Sequence, residues 1–132
     1  MEQRKINPWS WQDQYGFSQA IEVTGGERVL YCAGQTSSDE AGNTVGPHDM
    51  RVQAGRALDN LEAVLEDAGL ELANVVRLTY FVTDVDAYFS EGAPVVGERL
   101  AAAGVQPAST LLGVARLAFP DLVIELEATA VA

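Results

Sequence analysis

The side chains that most often carry covalent or metal chemistry are scarce in this sequence, which has one cysteine, Cys32, and one histidine, His48. A single cysteine excludes an intramolecular disulfide and a zinc site built from several thiolates. Cys32 lies in an apolar segment without a nearby cation or histidine, so we predict a buried, unreactive thiol. His48 is expected in a cap or loop before a helix. With one histidine and scattered acids, we predict no metal and no cofactor.

Carboxylates dominate the charged residues, and their excess argues against nucleic acid as a partner. The 19 acidic and 8 basic residues give a formal net charge of −11. Binding to a phosphate backbone depends on its neutralisation by lysine and arginine, so an acidic chain is repelled. No run approaches the ~20 apolar residues that span a bilayer, and no apolar leader follows Met1. We therefore predict a cytoplasmic protein that binds neither nucleic acid nor membrane.

The first part of the chain is predicted to be an irregular arm followed by a β-hairpin. Residues 1–16 contain two tryptophans but no sustained hydrophobic period, which favours an irregular arm. Residues 18–23 and 28–35 are strand-like, and Gly25-Gly26 between them suits a tight turn. We therefore expect these two strands to pair with each other.

Two stretches have the spacing of amphipathic helices. Residues 49–68 repeat apolar side chains every three or four positions, with an aspartate at the start and a glycine directly after the end. A second helix is predicted over 84–103, capped by one of two aspartates near its start. Because Gly92 and Pro94 fall early in this second helix, we expect an irregular first turn or a kink there.

The remaining strand-like segments complete the order ββαβαββ in a single domain, 1–132. These segments are 75–83, 109–115 and 122–131. We predict an α+β fold with a mixed sheet and two helices on one face. The other face of the last strand would carry Val123, Glu125, Glu127, Thr129 and Val131, and that of the 75–83 strand would carry Val75, Arg77, Thr79, Phe81 and Thr83. A mixed apolar and charged face is a poor surface toward water, so we expect it to pack against further copies of the chain.

Several short segments occur in an order that is specific to one family. They are Phe17-Ser18-Gln19-Ala20, Tyr31-Cys32-Ala33-Gly34-Gln35, Ala57-Leu58-Asp59-Asn60-Leu61, Pro107-Ala108, Val114-Ala115-Arg116-Leu117 and Ile124-Glu125-Leu126-Glu127-Ala128. With them the chain resembles the Rid (YjgF-like, reactive-intermediate-deaminase) family over about residues 15–132. The resemblance implies a chorismate-mutase-like fold, a homotrimeric barrel and small-molecule clefts between subunits. Deaminating members hydrolyse imines and enamines, using an arginine that binds the substrate carboxylate and a glutamate that places or activates water.

The resemblance assigns a catalytic role to Glu125 and implies that the substrate-binding arginine of the family is missing from this chain. Glu125 matches the family glutamate and is the predicted catalytic residue, as general acid or base or as a water orienter. Ser109 stands where the family arginine should follow Pro107-Ala108, and a serine offers a carboxylate no charge. Losing such a charge-assisted pair in a partly buried cleft costs about 2–5 kcal/mol. We therefore expect a neutral or less polar ligand.

Other positions in the expected cleft also depart from the deaminating members. Ala33 replaces a serine and Phe17 replaces a tyrosine, which removes two hydroxyl groups. The predicted substrate-binding residues are Ser109, Phe17, Ala33, Gly34, Tyr88 and Tyr15, and further aromatic walls would come from Trp9, Trp11 and Phe119. Arg77 and Arg116 are the two arginines that could replace the missing one. Glu125 has a structural alternative as well, because an ion pair with Arg77 would also account for a glutamate at this position.

Three functions remain open from the sequence. The first is a Rid-family hydrolase or ligand-binding protein with altered specificity, for a small metabolite without the usual carboxylate. The second is a 2-iminobutanoate/2-iminopropanoate-type deaminase in which another group supplies the missing charge. The third is a non-catalytic ligand-binding module. RNA cleavage, a label that family members often carry, is disfavoured by the acidic balance and the lack of a histidine or lysine cluster.

Overall fold

The backbone of residues 1–132, described by a computed structural model, alternates strands with two principal helical segments. Its elements are β1 (Glu2–Ile6), β2 (Ala20–Thr24), β3 (Val29–Tyr31), β4 (Gln35–Thr36), α1 (Met50–Asp67), β5 (Val75–Val82), α2 (Val85–Ala87), α3 (Ala93–Ala102), β6 (Ala108–Gly113) and β7 (Ile124–Val131), with 3₁₀ turns at Trp11–Tyr15 and Leu72–Asn74 and a π-helical turn at Tyr88–Gly92. None of the helices is both long enough and apolar enough to cross a membrane.

The main sheet has the order β3-β7-β5-β6, and β4 continues the β3 edge along β7. β5 and β6 run parallel, because the α2–α3 segment between them forms a crossover, whereas β7 is antiparallel to β5, β3 and β4. One face of β5 and β7 supplies core residues, among them Leu78, Val82, Ile124 and Leu126, all without solvent exposure. The predicted α+β class with a mixed sheet is confirmed.

Helix α1 forms where the apolar stripe predicts it. The Asp49 carboxylate accepts a hydrogen bond from the Val52 backbone N–H at 3.0 Å, which satisfies one of the unpaired donors of the first turn. Ala54, Ala57, Leu58, Leu61 and Leu65 form the buried stripe that packs in the core with β7 and β5. The helix ends before Gly69, whose φ of 74° is the left-handed conformation that glycine adopts readily.

The second helical segment contains the predicted irregular turn. Asp84 caps its start by accepting a hydrogen bond from the Ala87 N–H at 3.0 Å. The chain then widens into the π turn, in which the Ala93 N–H bonds to the carbonyl of Tyr88, five residues back. Pro94 explains the wide turn, because a proline in a regular helix clashes with the carbonyl four residues before it.

The N-terminal part differs from the prediction in two ways. Residues 2–6 are not irregular, because β1 pairs antiparallel with β2. The predicted 18–23/28–35 hairpin is also wrong in its pairing: β3 pairs with β7, and the backbone N–H groups of Glu27 and Arg28 bond to the carbonyl of Ala132. Gly25-Gly26 therefore connects two strands that belong to different sheets, because β2 pairs with β1 and β3 pairs with β7.

Both helices lie on one side of the main sheet, and the opposite side is uncovered over much of its area. We term this side the open face; it carries Tyr31, Arg77, Thr79, Phe81, Thr110, Leu112, Glu125, Glu127 and Thr129. The assignment of Val75 to this face is wrong, because a register shift between Val75 and Arg77 turns the Val75 side chain into the core. The homotrimeric barrel, in which further copies of the chain would cover this face, stays a prediction.

Candidate functional site

A cavity of about 390 Å³ lies between β5, β6, the π turn and the N-terminal 3₁₀ turn, and we term it the aromatic pocket. Its walls are Trp11, Tyr15, Phe17, Tyr80, Tyr88 and Phe89, with Ser109 and Leu111 from β6. Six rings around one cavity form an apolar wall with a few hydroxyl groups, which is the usual character of a site for a small molecule.

Strand register and one helical turn place these side chains. Ser109 pairs with Leu78, and Leu111 with Tyr80, so all four side chains lie on the helix side of the sheet. The π turn delivers two consecutive rings, Tyr88 and Phe89, to the same cavity. Trp11 and Tyr15, at the ends of one 3₁₀ turn, close the opposite wall, with their ring centroids 6.4 Å apart.

Gly92 makes the position of Tyr88 possible. A Cβ added to Gly92 would lie 2.9 Å from Cδ1 of Tyr88 and 3.1 Å from Sδ of Met50, both closer than carbon and sulfur tolerate. The glycine therefore lets the Tyr88 ring pack between the π turn and Tyr80. The centroids of the Tyr80 and Tyr88 rings are 5.5 Å apart.

The hydroxyl groups at the inner end of the pocket are neutral. Tyr80 and Tyr88 are 6% and 7% exposed. Burial raises the pKa of Tyr88 to about 12, and the Tyr80 hydroxyl beside it opposes part of this shift. Burial, followed by the neighbouring Tyr88 phenol, also raises the pKa of Tyr80, while Ser109 acts in the opposite direction. The Ser109 hydroxyl donates a hydrogen bond to the Pro107 carbonyl at 3.0 Å.

A second cavity of about 530 Å³ adjoins the aromatic pocket and shares four of its residues, Tyr15, Tyr80, Tyr88 and Phe89. Asp13 is the one carboxylate in the lining of either cavity, and neither is lined by lysine, arginine or histidine. The combined site therefore offers no positive charge to a ligand carboxylate.

Glu125 lies on the open face of β7, away from both cavities. Its cross-strand partners are Phe81 of β5 and Thr36 of β4. The carboxylate rests against the backbone of Gly34, where a Cβ would overlap it. The ion pairs of the chain join Arg4 to Glu22 and Arg99 to Asp59 and Glu62, so the carboxylate of Glu125 has no cationic partner within the chain.

The two arginines considered as replacements are engaged elsewhere. Arg77 donates from Nη2 to Oγ1 of Thr110 at 2.7 Å on the open face. Arg116 donates to the carbonyls of Leu117 and Ala118, at 3.1 and 3.2 Å, and so closes its own loop. The suggested ion pair of Arg77 with Glu125 is not formed, because the register places Arg77 opposite Thr129.

The structure divides the predicted site residues into two groups. Tyr15, Phe17, Tyr88 and Ser109 line the aromatic pocket together, as does Trp11. Gly34 contacts Glu125 on the opposite side of the sheet, with Ala33 next to it in the chain. Sequence reasoning missed Tyr80, Phe89 and Leu111. Period-two alternation identifies Tyr80 and Leu111 as facing the helices, whereas Phe89 depends on the π turn.

The lone cysteine and histidine lie outside the aromatic pocket. Cys32 is buried in the core, as predicted, and burial raises the pKa of its thiol. His48 lies in the loop before α1 with a φ of 59°, and its backbone N–H donates to the Asp121 carbonyl. No three histidine, cysteine or acidic side chains cluster in a way that could hold a metal ion.

Comparisons with known proteins agree with this arrangement of elements. The family model described as Endoribonuclease L-PSP matches residues 12–132. The RutC family protein slr0709 of Synechocystis sp. is 35% identical over 116 residues, which cover 87% of this chain and 85% of that protein. The 2-iminobutanoate/2-iminopropanoate deaminase of Escherichia coli K12 is 36% identical over 85 residues, or 64% of this chain and 66% of the enzyme. A crystal structure of YyfB from Yersinia pestis, a protein of unknown function of the conserved Rid family, matches with a TM-score of 0.88 at 37% identity over 100% of both chains.

Proposed function

Because the chain belongs to the Rid (YjgF-like) family, we propose that it binds and hydrolyses a small imine or enamine that lacks a carboxylate, in clefts between the subunits of a homotrimer. One observation carries the change in specificity. Ser109, at the position of the expected arginine, lies in a pocket of aromatic rings without a cationic side chain. A carboxylate entering this pocket would lose its hydration without gaining a charged partner.

The separation of the two groups of residues supports a site between subunits. Ser109 faces the helices, whereas Glu125 lies on the open face beside Gly34. A ligand of a few atoms cannot contact both groups within one chain. A second copy packed against the open face would bring its own aromatic pocket toward the Glu125 carboxylate, which assembles a cleft from two subunits.

In the proposed reaction, water adds to the carbon of a C=N bond. Glu125 takes a proton from the attacking water, and the nitrogen receives the protons needed to leave as ammonia. One imine and one water thus give one carbonyl compound and one ammonia, with no change in oxidation state. The neutral hydroxyl groups of Tyr80, Tyr88 and Ser109 hold the ligand by hydrogen bonds, and the rings keep bulk water from the reacting carbon.

The identity with the Escherichia coli deaminase favours a second candidate, turnover of 2-iminopropanoate itself. This function requires a cation at the carboxylate, and Arg77 is an arginine on the same open face as Glu125. The two candidates differ in one property: the deaminase prefers imines that carry a carboxylate, and the proposed function prefers imines without one.

A pair of coupled assays tests the proposal. An amino-acid oxidase acting on alanine supplies 2-iminopropanoate, an amine oxidase supplies an imine without a carboxylate, and carbonyl release is followed with and without the protein. We expect acceleration of the second reaction only, with a loss of about 10²-fold or more in Glu125→Gln. Glu127→Gln, which neutralises the next carboxylate on the same face, should retain the rate.

Each other result points to one alternative. Acceleration of 2-iminopropanoate hydrolysis that is lost in Arg77→Ala would establish the deaminase. Tight binding of a small molecule with no acceleration of either reaction, unchanged in Glu125→Gln, would establish a non-catalytic binding module.

A further inference from the structure

We propose that the ligand of the aromatic pocket is an organic cation: an alkyl- or arylammonium ion, or the matching iminium ion, with no carboxylate. This inference rests on the proposed function, because it takes the aromatic pocket as the ligand site and names the charge of the ligand. It goes further in one respect: a pocket that only rejects carboxylates would accept neutral and cationic ligands equally.

The arrangement of the rings favours a cation. Six aromatic rings form an unbroken series in which each ring contacts the next. In order, they are Phe17, Trp11, Tyr15, Phe89, Tyr88 and Tyr80. Successive rings are inclined by 51° to 74°, so their faces point in different directions around the cavity instead of forming a stack. Ring faces carry the negative part of the aromatic quadrupole, and a cation among several faces is attracted by each of them.

The charges around the pocket act in the same direction. Asp13 lines the adjoining cavity, and its carboxylate accepts one hydrogen bond, from the Gln12 amide at 3.4 Å. The formal net charge of −11 adds a long-range attraction for cations. No lysine, arginine or histidine lines either cavity. The Lys5 ammonium donates to the Gln106 amide oxygen at 3.2 Å, but it is exposed to solvent and pairs with no carboxylate.

The uncharged hydroxyl groups complete the recognition. Tyr80 and Tyr88 are buried at the inner end of the pocket, and Ser109 is directly beside Tyr80. A phenol oxygen accepts a hydrogen bond from an N–H group, so an ammonium or iminium nitrogen finds acceptors there as well as ring faces. A ligand N–H can therefore be held without any charged residue at that end.

Three probes of equal size and different charge test the inference: benzylamine, benzyl alcohol and benzoate, titrated into the intact protein by calorimetry near pH 7. We expect benzylamine to bind about five- to thirtyfold more tightly than benzyl alcohol, since a cation over ring faces gains roughly 1–2 kcal/mol. Benzoate should bind most weakly. Asp13→Asn should reduce the preference for benzylamine over benzyl alcohol about two- to fivefold, as expected for losing one exposed charge.

Asp67→Asn is the matched control, because it removes the same charge at the end of α1, outside both cavities. It should leave the preference unchanged. Equal affinities for benzylamine and benzyl alcohol would overturn the charge preference while keeping the pocket as the ligand site. An equal effect of Asp13→Asn and Asp67→Asn would overturn the local role of Asp13. If none of the three probes binds, the aromatic pocket is not the ligand site, and the proposed function fails with it.

Discussion

Ser109 is the β6 side chain next to the buried Tyr80 hydroxyl, so the aromatic pocket has a neutral group where the family arginine is expected. The sequence alone identified the substitution at this position and predicted Tyr15, Phe17 and Tyr88 as its neighbours. Tyr80 was missed although period-two alternation places it on the helix side of β5, and Phe89 was not predicted because its position depends on the width of one helical turn. The sequence was thus sufficient to predict which side-chain types occur at the site, but not which of them come together in the wall of the aromatic pocket.

Restoring the charge at position 109 should restore recognition of a carboxylate. We expect Ser109→Arg to increase the affinity for pyruvate, the product of 2-iminopropanoate hydrolysis, by at least tenfold, because a charge-assisted pair is worth about 2–5 kcal/mol in such a cleft. Calorimetric titration measures the change. Ser109→Gln serves as the control, since it lengthens the side chain and adds hydrogen-bonding groups without charge. A similar gain in both variants would show that charge at this position is not what excludes carboxylates.

Tyr88 should make the stability of the fold sensitive to alkaline pH. Its pKa is raised from 10.0 to about 12 in the folded chain, so the folded state binds more protons than the unfolded state above pH 10. Stability is therefore fully present below about pH 10 and decreases as pH rises toward 12, by roughly 3 kcal/mol from this group. Urea unfolding at a series of alkaline pH values measures the decrease. In Tyr88→Phe the slope should be shallower; an unchanged slope would assign it to other groups.

At the scale of elements, the π turn connects the fold to the pocket. Pro94 prevents a regular helix, the wide turn presents Tyr88 and Phe89 together, and Gly92 leaves room for the Tyr88 ring. Gly92 and Pro94 were sufficient to predict an irregular turn from the sequence. The direction in which the turn points its rings depends on contacts with Met50 and Tyr80 across the core, which local sequence does not encode.

A methyl group at position 92 should disturb the pocket. We expect Gly92→Ala to lower the free energy of unfolding by about 1–3 kcal/mol, because its Cβ would overlap Tyr88 and Met50. Ligand affinity should fall as well, since Tyr88 must move. Gly55→Ala is the matched control: its Cβ would meet only Cγ1 of Val95, at 3.7 Å, so it should stabilise α1 by roughly 0.5–1 kcal/mol. Thermal unfolding should show a lower stability for Gly92→Ala and a higher stability for Gly55→Ala. If both variants were equally stabilised, the tight packing of Tyr88 against Gly92 would be contradicted.

The helices and central strands were predictable because their hydrophobic period is local, whereas the pairing of β2 was not. The segment around Gly25-Gly26 has the composition of a hairpin, but β3 pairs with β7 and β2 pairs with β1, both of which are distant in sequence. Gln53 is a similar case. It interrupts the apolar stripe of α1, is fully buried, and bonds to the carbonyls of Gly46 and Asp121 and to the N–H of Val123. Such long-range polar contacts leave no periodic trace in the sequence.

At the scale of the whole molecule, the open face gives the proposed site its second half. Two helices cannot cover both sides of one sheet, which made an uncovered face predictable from the sequence alone. Phe81 and Leu112 pair on that face, and Tyr31 stands on its edge with 80% of its surface exposed. Phe81 is the cross-strand neighbour of Glu125, so burying this face against another copy would also enclose the carboxylate. Assembly and catalysis are therefore expected to be lost together.

A carboxylate on the β6 side of the open face should separate the loss of assembly and catalysis from any loss of folding. We expect Leu112→Glu to convert a trimer into a folded monomer and to abolish imine hydrolysis, because burying an unpaired charge costs several kcal/mol per interface. Val52→Glu is the matched control, since Leu112 and Val52 are each 43% exposed, but Val52 lies in the first turn of α1, where a glutamate suits the cap. Light scattering after size exclusion, circular dichroism and the coupled imine assay should be measured on both variants. Val52→Glu adds the same charge without touching the open face, so it should stay trimeric and active. A trimeric, active Leu112→Glu protein would place the interface elsewhere. A monomeric variant that still hydrolyses the imine would show that Glu125 and its ligand need no second subunit.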